Sequence, residues 1–349
     1  MPRAPKSSRA GILTPDAIAA WSALLERAEA FRDLAPWRWI NGTSILGVHD
    51  QRSGQIDWCS IMGQGGETFG VAIYSGDAGL GSFQRMLKDG ADEFDAMIQQ
   101  FALVLTFNDR DCVTKDMVAI LKVCGRRYRG ASAWPELVVH DPGYFPMPPG
   151  EVEHLRRITT VLESLLGMCV QAAKEPGWDR HDGQDRPWVA KPDPSGMTTV
   201  VREAMPTIAA APLPVIPVDE VTVARVRAAP RRAGSAVLID WFVGSAVIDG
   251  PEANGRPYFM THVMAFDPSS GMILGMEMGR LATVWQDTAK LLLKITETTG
   301  VPAQVMLRRP EALKVLGPLA TALGAELSLR PETADAIRHF REQVELFGR

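Results

Sequence analysis

Few of the patterns that usually mark a reaction occur in this chain. Its four cysteines contain no C-x-x-C pair, and their spacing fits neither a zinc site nor a small disulfide framework. Cys59, Cys124 and Cys169 lie among apolar neighbours and read as buried free thiols, which suits a reducing compartment. No two of the six histidines stand three or four residues apart, and H-E-x-x-H is missing. So is G-x-S-x-G, the turn that exposes a nucleophilic serine. No apolar run approaches the ~18 residues that cross a bilayer. Residues 1–10 are basic and lack the apolar core of a secretory signal. Nor is there an excess of one charge: the formal net charge is -4 and the pI about 5.9, so bulk charge does not make this a general nucleic-acid or membrane binder. The expectation is a cytoplasmic protein without a membrane partner and without a cofactor.

What is present is enough apolar sequence for a large core. Hydrophobic residues at 46% and charged residues at 22% are ordinary globular values, and 349 residues suit two domains better than one. The pattern predicts an α/β (α+β) protein of two mixed-sheet modules with flanking helices. Residues 1–12 read as a loose tail, 13–150 as an N-terminal α/β module, 151–217 as a connection, and 218–349 as a C-terminal α/β module. In the first module a helix starts at the cap Thr14 and Pro15. Strands follow over 45–48, 56–62 and 69–74, a helix capped by Asp77, a strand over 102–107, a helix from the cap Thr114, and a strand over 137–139. The connection holds a long amphipathic helix over 151–174, a hairpin around 193–196, and a Pro-rich stretch to 217. The C-terminal module reads strand, strand, strand, helix, strand, helix, strand from 237 to 329, with a closing helix over 333–347. The halves share this element order and a D-x-x-S-G echo at Asp50 and Asp267. Good hairpin chemistry explains the echo more simply than duplication does.

Candidate chemistry is sparse. Gly76-Asp77-Ala78-Gly79-Leu80-Gly81 lies between strand and helix, but its glycines are misordered for a phosphate cradle and Asp77 would oppose the phosphate. Arg126-Arg127-Tyr128-Arg129 is the sharpest basic cluster; its guanidinium groups could dock phosphates and Tyr128 could offer a stacking face. Arg156-Arg157 and Arg308-Arg309 are further basic pairs. His181, Asp182 and Asp185 share a polar loop. The tryptophans read as core and hinge packing.

In element order the C-terminal module resembles the ribonuclease H-like fold. That resemblance implies a metal-binding Asp on the first strand, where Asp240 stands within Val237-Leu238-Ile239-Asp240-Trp241-Phe242. Two cations held against a phosphate need further carboxylates. Glu277, Asp287 and Glu311 are the available ones, while Arg308 and Arg309 occupy the slot at the end of the fourth strand. The chain beyond residue 34 also resembles an uncharacterised bacterial two-module family. Trp37-Arg38-Trp39, Trp58-Cys59-Ser60-Ile61-Met62-Gly63, Ile239-Asp240-Trp241-Phe242 and Ser270-Gly271-Met272-Ile273-Leu274-Gly275 carry that likeness. It implies a fold arrangement and no activity. The leading expectation is a non-catalytic binding or interaction protein with a protein or small-molecule partner. A divergent nuclease centred on Asp240 and a nucleic-acid adaptor using residues 126–129 are its rivals.

Overall fold

The computed structural model describes residues 13–87, 93–175, 178, 186–192, 198–209, 212–228, 231–250, 255–331 and 341. The expected tail, the turn at 193–196, His181, Asp182, Asp185 and the closing helix over 333–347 lie outside the described residues. The chain is mixed α/β and contains a seven-stranded and a five-stranded sheet. By contacts the described residues divide into two compact units: one running to Asp141 and resuming over Pro146–Ala209, and one from residue 212 onward with the short segment Pro142–Phe145.

In the first unit, α1 (Pro15–Leu34) begins where Thr14 Oγ1 accepts the Ala17 amide at 3.2 Å, which satisfies one orphan donor. It ends at Ala35, in the left-handed conformation, ahead of Pro36. β1 (Ile45–His49), β2 (Ile56–Met62), β3 (Phe69–Ser75), β4 (Ala102–Asn108) and β5 (Trp134–His140) form an antiparallel series. β6 (Trp188–Pro192) joins β1 in parallel and β7 (Thr198–Arg202) completes the sheet, in the order β5-β4-β3-β2-β1-β6-β7. β2 and β3 are apolar without alternation because both faces are covered, so their sequences read as continuous runs. One face packs Cys59, Ile61, Val71, Ile73 and Leu105 against α1 and α5 (Val152–Lys174). On the other, Trp58, Ala72 and Tyr74 meet Leu80 and Phe83 of α2 (Gly76–Met86). Helix α3 (Glu93–Ile98) precedes β4, and α4 (Lys115–Val123), capped by Thr114, precedes β5.

Two local expectations shift. Helix α2 starts at Gly76, so Asp77 lies in its first turn rather than at the cap. Gly76 has φ 57°, and a Cβ there would stand 2.6 Å from Gln55 Oε1, so the chain turns at the residue without a side chain. The long helix and hairpin read as a connection are α5, β6 and β7, and their hydrogen bonds and buried apolar residues belong to this sheet and core. The apolar face of α5 (Leu155, Ile158, Leu162, Leu165) leaves no exposed linker helix, since its burial is the larger gain.

The second unit opens with α6 (Glu220–Arg227). β8 (Arg231–Ile248), β9 (Tyr258–Phe266) and β10 (Ile273–Gly279) follow as antiparallel neighbours. α7 (Val284–Thr299), β11 (Val301–Leu307), α8 (Pro310–Leu323) and β12 (Glu326–Leu329) complete the described part, with β11 parallel to β8 and β12 parallel to β11. The element order is the expected one, and the strand order is β10-β9-β8-β11-β12. The likeness of the two halves stops at element order: β4 and β5 are antiparallel neighbours, whereas β11 and β12 run parallel. Among the described residues, no helix is long and apolar enough to cross a membrane.

Candidate functional site

Asp240 lies at the middle of β8 and is 3% exposed. Both its oxygens are taken by arginines: Oδ2 accepts from Arg308 Nε, and Oδ1 from Arg309 Nε at 3.1 Å. The Arg309 guanidinium also lies 3.7 Å from the Trp241 ring centroid and donates to the Trp241 carbonyl at 3.1 Å. The parallel register places Leu307 beside Ile239, so the chain leaving β11 delivers both arginines to Asp240.

Glu277 lies on the opposite side of the sheet. Residues directly across from one another in a ladder share a face, and successive residues alternate. Glu277 pairs with Val263 and Val263 with Trp241, whereas Asp240 pairs with Met264 and Met264 with Met276. The Glu277 carboxylate is held by Lys290 at 2.9 Å and Lys294 at 3.1 Å, both from α7. The Lys290 bond leads in lowering its pKa, against the opposing effect of burial. Asp287, in the first turn of α7, accepts from Thr283 Oγ1 at 2.8 Å. Glu311 is exposed in the first turn of α8. The structure therefore does not gather these four carboxylates, and among the described residues no group of three or more metal-ligating side chains occurs.

The basic cluster divides in two. Arg126 pairs with Glu29 at 3.2 Å and Glu26 at 3.3 Å, and the Tyr128 hydroxyl donates to Glu29 at 2.6 Å. Both side chains thus tie the α4–β5 loop to α1. Burial, reinforced by the neighbouring Glu29 carboxylate, raises the Tyr128 pKa strongly. The Tyr128 ring packs edge-on to Trp134. Arg127 and Arg129 are exposed and make no ion pair among the described residues.

A third group of residues converges where no motif pointed. β1 and β6 run parallel side by side, and their carboxyl ends open into a cleft of about 290 Å³ that is walled on one side by α5. Four cations line it: Arg52 from the β1–β2 turn, Arg156 and Arg157 from α5, and Lys191 from β6. Arg157 is fixed from beneath. Its Nε and Nη2 donate to the Asp57 carboxylate, the former at 3.2 Å, and Nη2 also donates to Ser75 Oγ. Asp57 is 1% exposed, on the core face of β2, and Asp50 adds a 3.7 Å ion pair. Arg157 Nη1 makes no hydrogen bond or ion pair among the described residues. The other cations hold more exposed carboxylates. Glu153 accepts from Arg52 Nη1 and Arg156 Nη1, both at 2.6 Å; Arg156 also reaches Asp16 at 2.6 Å, and Lys191 pairs with Glu203. Burial opposes ionisation of Asp50, but hydrogen bonds from Ser53 and the Arg52 amide, with the Arg157 charge, outweigh it and lower its pKa. His49 completes the wall, with its Nδ1 buried and unpartnered.

Sequence reading treated Arg156-Arg157 as one basic pair among several and passed over Asp57. One signal was available: Asp57 is the single charged residue in the apolar run 56–62.

Two family models cover most of the chain. Residues 21–188 match a domain of unknown function, DUF7309, and residues 222–345 match a second, DUF6930. The chain joins two uncharacterised modules, in keeping with the two-module resemblance in its sequence. No curated protein matches it.

Proposed function

We propose that this is a ligand-binding protein and that the cleft at the carboxyl ends of β1 and β6 is its binding site. The Arg157–Asp57 pair carries the reading. A buried ion pair rarely adds net stability, because desolvation consumes most of the Coulombic gain, and apolar replacements are often as stable. Asp57 sits in an otherwise apolar core and holds one guanidinium at the cleft with Nη1 left for another partner. That arrangement makes sense as preorganisation for a ligand. The position agrees, since ligands of open α/β sheets gather outside the carboxyl ends of parallel strands. The volume suits a small molecule rather than a polymer.

The rival nuclease reading draws support from the strand order β10-β9-β8-β11-β12, which fits the ribonuclease H-like resemblance. It requires Asp240 and Glu277 to face one metal pair, and their side chains leave opposite faces of the sheet. The adaptor reading rests on Arg127 and Arg129 alone, since Arg126 and Tyr128 are engaged within the fold.

The test is a thermal-shift screen of the full chain against charged and neutral metabolites. A ligand of the cleft raises the melting temperature in proportion to the logarithm of its concentration. Arg157→Met combined with Asp57→Leu, which removes the pair without stranding either charge, abolishes the rise. A panel without a single Arg157-dependent stabiliser refutes the assignment.

A further inference from the structure

Glu153 bridges two of the arginines that line the cleft. Its carboxylate is gripped by two guanidinium groups, Arg52 Nη1 on Oε2 and Arg156 Nη1 on Oε1. Both arginines line the cleft, and Glu153 itself is on the exposed first turn of α5, with 61% of its side chain open to solvent. One carboxylate bridging two arginines holds their Nη1 atoms at the spacing that a compact anion with several oxygens spans. A third guanidinium, Arg157, is immobilised on the same wall with Nη1 unengaged. Exposed pairs like those of Glu153 add little stability, so exchanging them for a better acceptor costs little. Arg157 is different, because its buried Asp57 does not leave.

We propose that the cleft takes the phosphate or diphosphate group of a small molecule, and that Glu153 is a built-in stand-in which that group displaces from Arg52 and Arg156. This rests on the assignment of the cleft as the ligand site. Phosphate is favoured over a carboxylate because three guanidinium groups line one cleft. A tetrahedral dianion offers each an oxygen, whereas a single carboxylate, as Glu153 shows, satisfies two. Lys191 adds a fourth positive charge on the β6 side.

Isothermal titration of the full chain with pyrophosphate, and separately with succinate, tests the proposal. Glu153→Gln keeps the shape and removes the competing charge. It should tighten pyrophosphate binding by about three- to tenfold, inside the range expected from releasing two exposed pairs. Glu163→Gln is the control: it makes the same charge change on the same helix but releases Arg27, which does not line the cleft, and should leave the constant within about twofold. Arg52→Gln with Arg156→Gln changes exposed side chains and spares the core; it should weaken pyrophosphate at least tenfold at an unchanged melting temperature. Equal tightening by both glutamate variants overturns the stand-in role, because only bulk charge is then at work. Succinate binding tighter than pyrophosphate overturns the phosphate assignment. If neutral compounds stabilise the chain through Arg157 while pyrophosphate does not bind, this inference falls and the cleft assignment stands. If nothing binds through Arg157, both fall.

Discussion

Removing Arg157 should harm this protein far more than removing its partner, and removing both should harm it least. Asp57 is 1% exposed, and Arg157 is its sole hydrogen-bonding or ion-pairing side chain among the described residues. Arg157→Met therefore strands a carboxylate in the core, which costs about 3–5 kcal/mol. Asp57→Leu leaves a guanidinium whose side chain is 31% exposed at the cleft and which keeps Ser75 and Asp50 nearby. Discounted for that solvent contact, its loss is about 1–2 kcal/mol. The double variant places two apolar side chains beside Ile73, Val161 and their neighbours, and should fall within about 1 kcal/mol of wild type. The coupling energy is then about 3–7 kcal/mol. In a unit of this size Arg157→Met should lower Tm by on the order of 10 °C. Urea unfolding at pH 7 gives the four free energies. Additive losses, or a larger loss from Asp57→Leu than from Arg157→Met, would refute the account of this pair. The double variant has a second use: stability restored without ligand binding identifies the pair as a binding device, not a structural one.

Three other outcomes follow from the same structure. Burial, partly offset by Asp141, lowers the His140 pKa from 6.5 to about 4. The fold thus prefers the neutral ring, and between those values the unfolded state binds the extra proton. Stability should fall by about 1.4 kcal/mol per pH unit as pH drops through that window, and His140→Gln should flatten the slope measured by urea unfolding. At Gly70 an added Cβ would run into the Leu105 carbonyl oxygen, so Gly70→Ala must part β3 from β4; a loss of about 2–3 kcal/mol is expected, and a variant as stable as wild type would contradict the close approach. Asp240→Asn, which weakens the bonds from Arg308 and Arg309, should cost about 2 kcal/mol, and millimolar Mn²⁺ should leave the Tm of wild type and variant unmoved. A Mn²⁺-dependent rise present in wild type and lost in Asp240→Asn would restore the metal-site reading.

The α/β class, the caps at Thr14 and Thr114, the strands through 45–107 and the second unit's element order follow from local pattern alone. Period, capping and turn chemistry are properties of neighbouring residues, so they are legible along the chain. The place of α5, β6 and β7 in the first unit was not legible. α5 packs on α1 and β6 pairs with β1, each more than a hundred residues away, and no local signal names a distant neighbour.

The site divides along the same line. Sequence determined that Asp57 and Asp240 are anomalies, each a charge within an apolar strand, and that Arg156-Arg157 and Arg308-Arg309 are positive pairs. Tertiary structure decided which meets which: β11 brings Arg308 and Arg309 onto Asp240, and the packing of α5 over β2 brings Arg157 onto Asp57. It also decided that Glu277 and Asp240 part company, because their faces depend on the register across three strands. Charge and burial belong to single residues, but convergence on a point belongs to pairs far apart in the chain, and only the folded sheet sets their distance.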